Sequence, residues 1–154
     1  MDLKFSVSAH IDKPVAEVFE AVADPARLSR YFTTGGAQGR LEGGTTVWWE
    51  FADFPGKFPV DVAEVEPNRR IVLRWASQEA PTEADDRERQ TTVTFDFEAL
   101  PDGRTRVDIR EEGWQHTQTG LQASYGNCMG WSQMLCALKA WLEYGINLRQ
   151  GMYV

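Results

Sequence analysis

The sequence has few cysteines and few histidines, which limits the chemistry it can support. Its 154 residues include two cysteines, Cys128 and Cys136, and two histidines, His10 and His116. These positions match no zinc-ligand spacing, so we predict neither a metal nor another cofactor. The cysteines lie eight residues apart in a predicted helix, where about 12 Å separates their Cα atoms, too far for a disulfide. We therefore expect reduced thiols, which are typical of the cytoplasm.

The sequence also lacks an excess of positive charge and lacks long apolar runs. It has 16 lysines and arginines against 23 acidic residues, a formal net charge of −7. Nucleic acid is not expected as a partner, because affinity for it depends on cationic side chains that neutralise phosphates. No apolar run approaches the roughly 20 residues that cross a bilayer, and no signal peptide is recognisable. We expect no membrane partner and a cytoplasmic protein.

What the sequence does contain is sufficient to build a core. Hydrophobic residues make up 42% of the chain and charged residues 25%, which is ordinary for a globular protein and argues against disorder. The length suits a single domain, and no linker, repeat or low-complexity tract divides it. We predict one domain over residues 1–154.

The N-terminal part of the sequence predicts a strand followed by two short helices. Polar and apolar residues alternate around Phe5 and Val7, as in a half-buried strand. Apolar residues then recur at helical spacing as far as Asp24-Pro25. This pair ends the helix, because a residue before proline avoids the helical region. A second short helix is predicted over residues 26–32.

Residues 35–113 predict a series of antiparallel strands. Apolar residues recur here at every second position, and turn-forming pairs interrupt the pattern. We predict a tight hairpin at Gly43-Gly44, a turn at Pro55-Gly56 and a solvated loop over residues 78–89.

The closing segment, residues 122–149, predicts one long helix. Apolar residues fall there at steps of three and four, at Cys128, Trp131, Leu135, Leu138, Leu142 and Ile146. Such a helix would be roughly 40 Å long, enough to lie along a whole small sheet. Gly126 and Gly130 weaken its first turns, each by about 1 kcal/mol relative to alanine.

Several short motifs resemble those of the START-like (SRPBCC) superfamily. In chain order they are His10-Ile11-Asp12-Lys13-Pro14-Val15-Ala16-Glu17-Val18-Phe19, Asp24-Pro25, Tyr31-Phe32, Gly43-Gly44, Val65-Glu66-Pro67-Asn68-Arg69-Arg70-Ile71, and Gly130-Trp131 ahead of Leu135 and Leu138. Each motif alone is weak, but their order and spacing span nearly the whole chain. The branch they resemble is named for the C-terminal domain of the activator of Hsp90 ATPase.

This resemblance implies an α+β helix-grip fold. A curved antiparallel sheet of about seven strands would wrap around the long C-terminal helix, with two short helices after strand 1. A hydrophobic cavity is expected between the sheet and that helix. Because Met1 lies just ahead of the first strand, the region that precedes the shared domain in the eukaryotic co-chaperone is expected to be missing, and activation of Hsp90 is not predicted.

The aromatic residues supply the candidate binding site. Alternation puts Trp49 on one face of its strand and Trp48 on the other. Trp114 and His116 follow the last strand, where a cavity mouth is expected. The predicted ligand-binding residues are Tyr31, Phe32, Trp49, Phe58, Trp75, Phe95, Trp114, His116, Trp131, Met134 and Leu138. For Tyr31 and Phe32 two interpretations stand, a gate to the cavity and a seal that holds the short helix onto the core.

Three functions are kept as hypotheses. The first is non-catalytic binding of a small hydrophobic or aromatic molecule, because pockets for such ligands are mostly apolar and aromatic. The second is a cyclase or hydrolase for an aromatic or polyketide-like substrate, using scattered polar residues such as Asp61, Glu111 or Arg74. The third is a stress-related or chaperone-associated interaction module, with Trp48 in an exposed patch. Homodimerisation is kept as a partner hypothesis.

Overall fold

The computed structural model describes residues 1–79 and 89–154. The elements, in chain order, are β1 (Lys4–Ile11), α1 (Val15–Ala23), α2 (Pro25–Leu28), β2 (Gly36–Gln38), β3 (Thr45–Phe51), β4 (Phe54–Glu66), β5 (Arg70–Ala76), β6 (Gln90–Ala99), β7 (Thr105–Glu112) and α3 (Gln118–Tyr144). Most of the loop predicted over residues 78–89 lies outside the described residues.

The strands form one antiparallel sheet in the order β1-β7-β6-β5-β4-β3-β2. The first strand therefore pairs with the last, for example Val7 opposite Ile109. The other neighbours in the sheet follow one another in sequence, so short connections suffice. The curved seven-stranded sheet, the short helices after β1 and the long C-terminal helix confirm the predicted helix-grip fold.

The core lies between the inner face of the sheet and α3. On β3, Trp49 is buried and Trp48 is 43% exposed, which confirms the predicted assignment of the two faces. Trp131, Leu135 and Leu138 of α3 are buried against the sheet. Burial of each leucine side chain contributes roughly 1.5–3 kcal/mol, so α3 is held mainly by this apolar contact.

The first helix ends at Ala23, directly before Asp24-Pro25, as predicted. The Asp24 carboxylate then accepts a hydrogen bond of 2.9 Å from the Ala26 N–H and so caps α2. The second helix is shorter than predicted and ends at Leu28. The hydroxyl group of Tyr31, in the following turn, donates to the carbonyl oxygen of Ala21 at 2.9 Å in the core.

The tight hairpin predicted at Gly43-Gly44 is confirmed only in part. A turn does form there, with the N–H of Thr45 donating to the carbonyl oxygen of Glu42 at 3.2 Å, but the connection between the strands is longer than predicted. Strand β2 pairs with β3 only from Gly36 to Gln38, and residues 39–44 form a longer loop. Leu41 is buried, and its N–H donates to the carbonyl oxygen of Ala23 at 3.1 Å. This contact with the end of α1 draws the chain away from the sheet, so a long-range interaction lengthens the connection between β2 and β3.

The turn predicted at Pro55-Gly56 is also misplaced. The chain reverses at residues 52 and 53, with Phe51 opposite Phe54, and Pro55-Gly56 lies within β4. The register of β3 and β4 shifts between Trp49 and Phe51. Gly56 has a φ of +125°, which glycine adopts more easily than other residues, so this pair shapes a strand irregularity.

The long helix begins and ends earlier than predicted. It begins at Gln118, where the Thr117 side chain accepts a hydrogen bond from the N–H of Gly120. It ends at Tyr144 and is capped by Gly145, whose left-handed φ of +68° is typical of the residue that follows a helix. Ile146, predicted to lie on the apolar stripe, is therefore beyond the helix and 53% exposed. Within the described residues no helix is both long and apolar enough to cross a membrane.

Candidate functional site

A cavity of about 330 Å³ lies between α3, the sheet and the C-terminal segment, which we define as residues 145–154. We call it the cleft. Its lining residues are Phe32, Phe51, Phe54, Trp75, Gly126, Asn127, Met129, Gly130, Trp131, Gln133, Met134, Arg149, Met152 and Tyr153. The cleft meets solvent near Phe54 and Met129, because both of these side chains are exposed. Its volume falls at the lower end of the range for small-molecule pockets.

The inner wall of the cleft is a continuous aromatic surface. The rings of Trp75 and Trp131 have centroids 5.3 Å apart and an interplanar angle of 33°. Phe32 lies 5.5 Å from Trp131 and meets Phe51 edge to face at 5.1 Å. Aromatic pairs at these separations contribute roughly 0.5–1.5 kcal/mol beyond burial of their area, so the wall is well ordered.

The helical wall of the cleft contains two glycines one turn apart. Gly126 and Gly130 lie within α3 and both line the cleft. Apart from the neighbouring residues and the backbone of α3 itself, a Cβ atom built on either residue would meet no atom within 4 Å. Neither glycine has a left-handed φ, and neither makes the close approach that would require glycine. Their absent side chains leave space in the cleft.

Behind the aromatic wall lies a fully buried carboxyl group, that of Glu111 on β7. Its Oε2 accepts hydrogen bonds from Trp75 Nε1 at 2.9 Å and from Thr91 Oγ1 at 2.5 Å. Its Oε1 accepts from Trp131 Nε1 at 2.8 Å. The side-chain amide Nδ2 of Asn127 donates to both oxygens, at 3.1 and 3.0 Å.

This Glu111 cluster fixes the side chains that face the cleft. A buried carboxyl group is costly unless hydrogen bonds satisfy it, and each donor it holds would in turn be costly to leave unpaired. Trp75, Trp131 and Asn127 all line the cleft while their N–H groups bind Glu111. Glu111 therefore sets the orientation of both indole rings and of the amide.

A second buried acidic group lies at the outer side of the cleft. Asp53, in the β3–β4 turn, accepts hydrogen bonds from Arg149 Nη1 at 2.5 Å and from Nη2 at 2.8 Å. Both side chains of this pair are more than nine-tenths buried. The guanidinium group of Arg149 lies 4.5 Å from the ring centroid of Tyr153 and 5.4 Å from that of Phe51. Its hydrogen bonds hold the pKa of the Asp53 carboxyl group below its usual value.

Two further contacts hold the C-terminal segment at the cleft. The Tyr153 hydroxyl forms a short hydrogen bond with Gln133 Oε1 on α3. The Tyr153 ring also packs against Phe54, with centroids 5.8 Å apart. Together with the Arg149–Asp53 pair, these contacts place a segment outside any helix or strand against the open side of the cleft.

The structure brings four of the predicted binding residues together on the cleft wall, namely Phe32, Trp75, Trp131 and Met134. Their contact with a ligand stays a prediction. Trp49, Phe95, Leu138 and Tyr31 are buried in the core behind this wall, and Phe58 packs against Trp75. The packing of Tyr31 corresponds to the seal interpretation.

Trp114 and His116 do not lie at the cleft. The Trp114 indole is buried, donates to the carbonyl oxygen of Ser77 at 3.1 Å and stacks on Phe5. The His116 side chain is 56% exposed, with its Nε2 3.6 Å from Asp2 Oδ1. The cleft lies instead beside the middle turns of α3, which begins at residue 118.

The polar candidates Asp61 and Arg74 lie on the outer face of the sheet, opposite each other on β4 and β5. Asp61 accepts hydrogen bonds from Thr46 and Gln90 there, which lower the pKa of its carboxyl group. No group of three or more histidine, cysteine or acidic side chains in the described residues is arranged to hold a metal ion.

Sequence reasoning missed most of the open side of the cleft. The residues not predicted are Phe51, Phe54, Gly126, Asn127, Met129, Gly130, Gln133, Arg149, Met152 and Tyr153. One signal was available for the cluster behind the wall, because Glu111 continues the inward alternation of Val107 and Ile109 on β7. No local signal places Arg149, since its position depends on where the chain turns after α3.

Comparison with known proteins identifies a family and a fold. The family described as Activator of Hsp90 ATPase homolog 1-like protein matches residues 12–143. No curated protein matches the chain.

Three solved structures illustrate the shared fold. The protein SSP2350 from Staphylococcus saprophyticus has 24% identity and a TM-score of 0.75, covering 95% of this chain and 96% of that one. DynU16, a putative protein in the dynemicin biosynthetic locus, has 23% identity and a TM-score of 0.77, covering 94% of this chain and 49% of that one. The Aha1 dimer from Colwellia psychrerythraea has 20% identity and a TM-score of 0.72, covering 92% and 97%.

Proposed function

The chain belongs to the family of Activator of Hsp90 ATPase homolog 1-like proteins, and we propose that it binds a small, mainly apolar molecule in the cleft without catalysing a reaction on it. The observation that carries this proposal is the pair Gly126 and Gly130. In the middle of a helix each glycine costs about 1 kcal/mol relative to alanine, and no close contact at either site excludes a larger residue. A ligand that occupies the space they leave supplies a reason for this cost.

The composition of the cleft wall supports an apolar ligand. Six aromatic side chains and three methionines contribute most of its lining, and methionine side chains adapt readily to ligands of irregular shape. A flat aromatic molecule would find the rings of Trp75 and Trp131 already held in place by Glu111. Binding to such a preorganised wall avoids part of the entropy cost of ordering side chains.

Catalysis would require reactive groups at the cleft wall. Among the described residues that line it, Arg149 is the charged one, and Asp53 already binds its guanidinium group. General acid–base catalysis needs a proton donor or acceptor within hydrogen-bond reach of the substrate. This arrangement supports binding in preference to the cyclase or hydrolase alternative.

The proposal is tested by filling the cleft from the helix. Gly130→Leu places a side chain in the space beside Trp131, whereas Gly130→Ala makes the same change of backbone preference with little loss of volume. We expect native mass spectrometry of gently purified wild type and Gly130→Ala to show a bound small molecule that is lost on denaturation. Gly130→Leu should remain folded and carry none.

An adduct retained at equal occupancy in Gly130→Leu would contradict the proposal. The same holds if purified wild type neither carries an adduct nor takes up any naphthalene-type compound added at millimolar concentration. Both variants should be as stable as wild type or up to about 1 kcal/mol more stable, because helix propensity rises when glycine is replaced.

We further propose that the chain forms a homodimer and resides in the cytoplasm. The Aha1 dimer from Colwellia psychrerythraea supports the first proposal, and the free thiols of Cys128 and Cys136 support the second. Sedimentation equilibrium tests the first, since a monomer mass at high micromolar concentration would contradict it.

A further inference from the structure

We propose that Asn127 is a specificity-determining residue, and that its side-chain oxygen selects apolar ligands that carry a hydroxyl or N–H group. This inference rests on the proposed function, since it concerns which molecules the cleft accepts. It follows from the hydrogen bonds that Glu111 accepts behind the wall, because they decide which end of the Asn127 amide faces Glu111.

The orientation of the Asn127 amide is fixed by its partner. An asparagine side chain has one end that donates and one end that accepts, and its surroundings decide which end points where. Each oxygen of Glu111 already accepts from an indole N–H, which has no accepting capacity. Asn127 meets both oxygens, so it must present its NH₂ group to Glu111, because its carbonyl oxygen would be repelled there.

The side-chain oxygen of Asn127 consequently has no hydrogen-bond donor from Glu111 and is not used by the cluster. Among the described residues, none donates a hydrogen bond to Asn127 Oδ1, and Asn127 itself lines the cleft between Gly126 and Gly130. The cleft thus has a fixed hydrogen-bond acceptor next to its aromatic wall.

The other polar groups of the lining differ from Asn127 in this respect. Gln133 uses its side-chain oxygen to bind the Tyr153 hydroxyl. Arg149 has only donors, and two of them bind Asp53. Asn127 is therefore the lining amide whose oxygen accepts no hydrogen bond, within the part of the chain that the structure describes.

The ligand class follows from this geometry. A molecule that lies on Trp75 and Trp131 and carries a hydroxyl or N–H group at its edge can donate to Asn127 Oδ1. The same molecule with that group methylated loses the hydrogen bond, and the amide oxygen is then cut off from water without a partner. We infer that phenol-like compounds bind better than their methyl ethers.

The test uses 2-naphthol and 2-methoxynaphthalene, whose affinities are measured by titration calorimetry or quenching of tryptophan fluorescence. The quantity of interest is the ratio of the two dissociation constants. Wild type should prefer 2-naphthol over 2-methoxynaphthalene, and this preference should be about fivefold weaker in Asn127→Leu, as expected for the loss of one neutral hydrogen bond. Binding of 2-methoxynaphthalene should change little.

A matched control separates selection by Asn127 from damage to the Glu111 cluster. Thr91→Val also removes one donor from Glu111 at nearly constant volume, and Thr91 does not line the cleft. Thr91→Val should keep the wild-type ratio. Should Asn127→Leu fail to fold, Asn127→Ala tests the same expectation with a smaller side chain.

The outcomes are distinct. The inference is supported if the preference for 2-naphthol over 2-methoxynaphthalene is lost in the Asn127 variant and kept in Thr91→Val. The inference is overturned if that preference is unchanged in the Asn127 variant, or if Thr91→Val loses it equally. The proposed binding function stands in both cases. If neither compound binds wild type, the inference is overturned, and the proposed function fails with it when native mass spectrometry of wild type also shows no adduct.

Discussion

The two buried acidic groups beside the cleft are satisfied in different ways. Glu111 accepts hydrogen bonds from uncharged donors on β5, β6 and α3. Asp53 instead binds one cation, Arg149, which lies 96 residues away in the chain. The first arrangement orients side chains on elements that the core already holds in place. The second attaches a segment outside any helix or strand to a turn.

The two kinds of interaction have different structural effects. Hydrogen bonds to uncharged groups are directional and fix the angle of each indole and amide. An ion pair between buried groups is strong only while both partners are present, because loss of one leaves an uncompensated charge. We therefore expect the Glu111 cluster to govern the shape of the inner wall and the Asp53–Arg149 pair to govern closure of the outer side.

The largest effect is expected from Glu111→Ala. It leaves two indole N–H groups, a hydroxyl and an amide without their acceptor in the core. The free energy of unfolding should fall by about 3–5 kcal/mol, as measured by urea denaturation. The matched control is Glu112→Ala on the exposed face of the same strand, which should change stability by no more than about 0.5 kcal/mol. Equal effects of the two variants would contradict a structural role for the cluster.

A smaller effect is expected from Arg149→Met. The buried Asp53 carboxylate then lacks its partner, and unfolding free energy should fall by about 2–3 kcal/mol. Amide hydrogens of residues 145–154 should exchange faster, while those of β7 should not. The double variant Asp53→Asn, Arg149→Met should recover part of the lost stability, because no charge is left stranded. Unchanged exchange in the C-terminal segment would show that other contacts hold it.

The smallest effect concerns pH. The pKa of Asp53 is lowered in the folded protein, chiefly by its hydrogen bonds to Arg149. This carboxylate therefore contributes stability above its unfolded pKa of about 3.9, and the contribution is lost as pH falls through the lower folded pKa. Between pH 5 and 2, taken as an approximate window, stability of Asp53→Asn should fall less steeply than that of wild type. Identical slopes in acid denaturation curves would argue against the assigned shift.

Much of the fold was predictable from local patterns. Alternation identified the strands and placed Trp48 and Trp49 on opposite faces, and Asp24-Pro25 marked the end of α1. The errors occurred where distant contacts compete with local preference. Leu41 leaves the sheet to reach the end of α1, and Pro55-Gly56 bends a strand in place of a turn.

The cleft was predictable only in part, for a related reason. Phe51, Trp75 and Trp131 of its inner wall belong to strands and a helix whose periodicity indicates their inward direction, whereas Phe32 lies in the turn after α2. The glycines of α3 were interpreted as weak points at the start of a helix, but the helix begins eight residues before Gly126 and both glycines line the cleft. Composition shows that a side chain is absent, but it does not show that space remains.

The sequence by itself determined the strand and helix periods, the apolar inner faces and the resemblance to a helix-grip family, because these depend on neighbours along the chain. Only the tertiary structure decided that Glu111 meets four donors from three elements and that Arg149 returns to Asp53. Those partners are separated by up to 96 residues. These contacts depend on the order of the strands in the sheet, on the position where α3 ends and on the path of the chain beyond Gly145. No local sequence pattern encodes that combination.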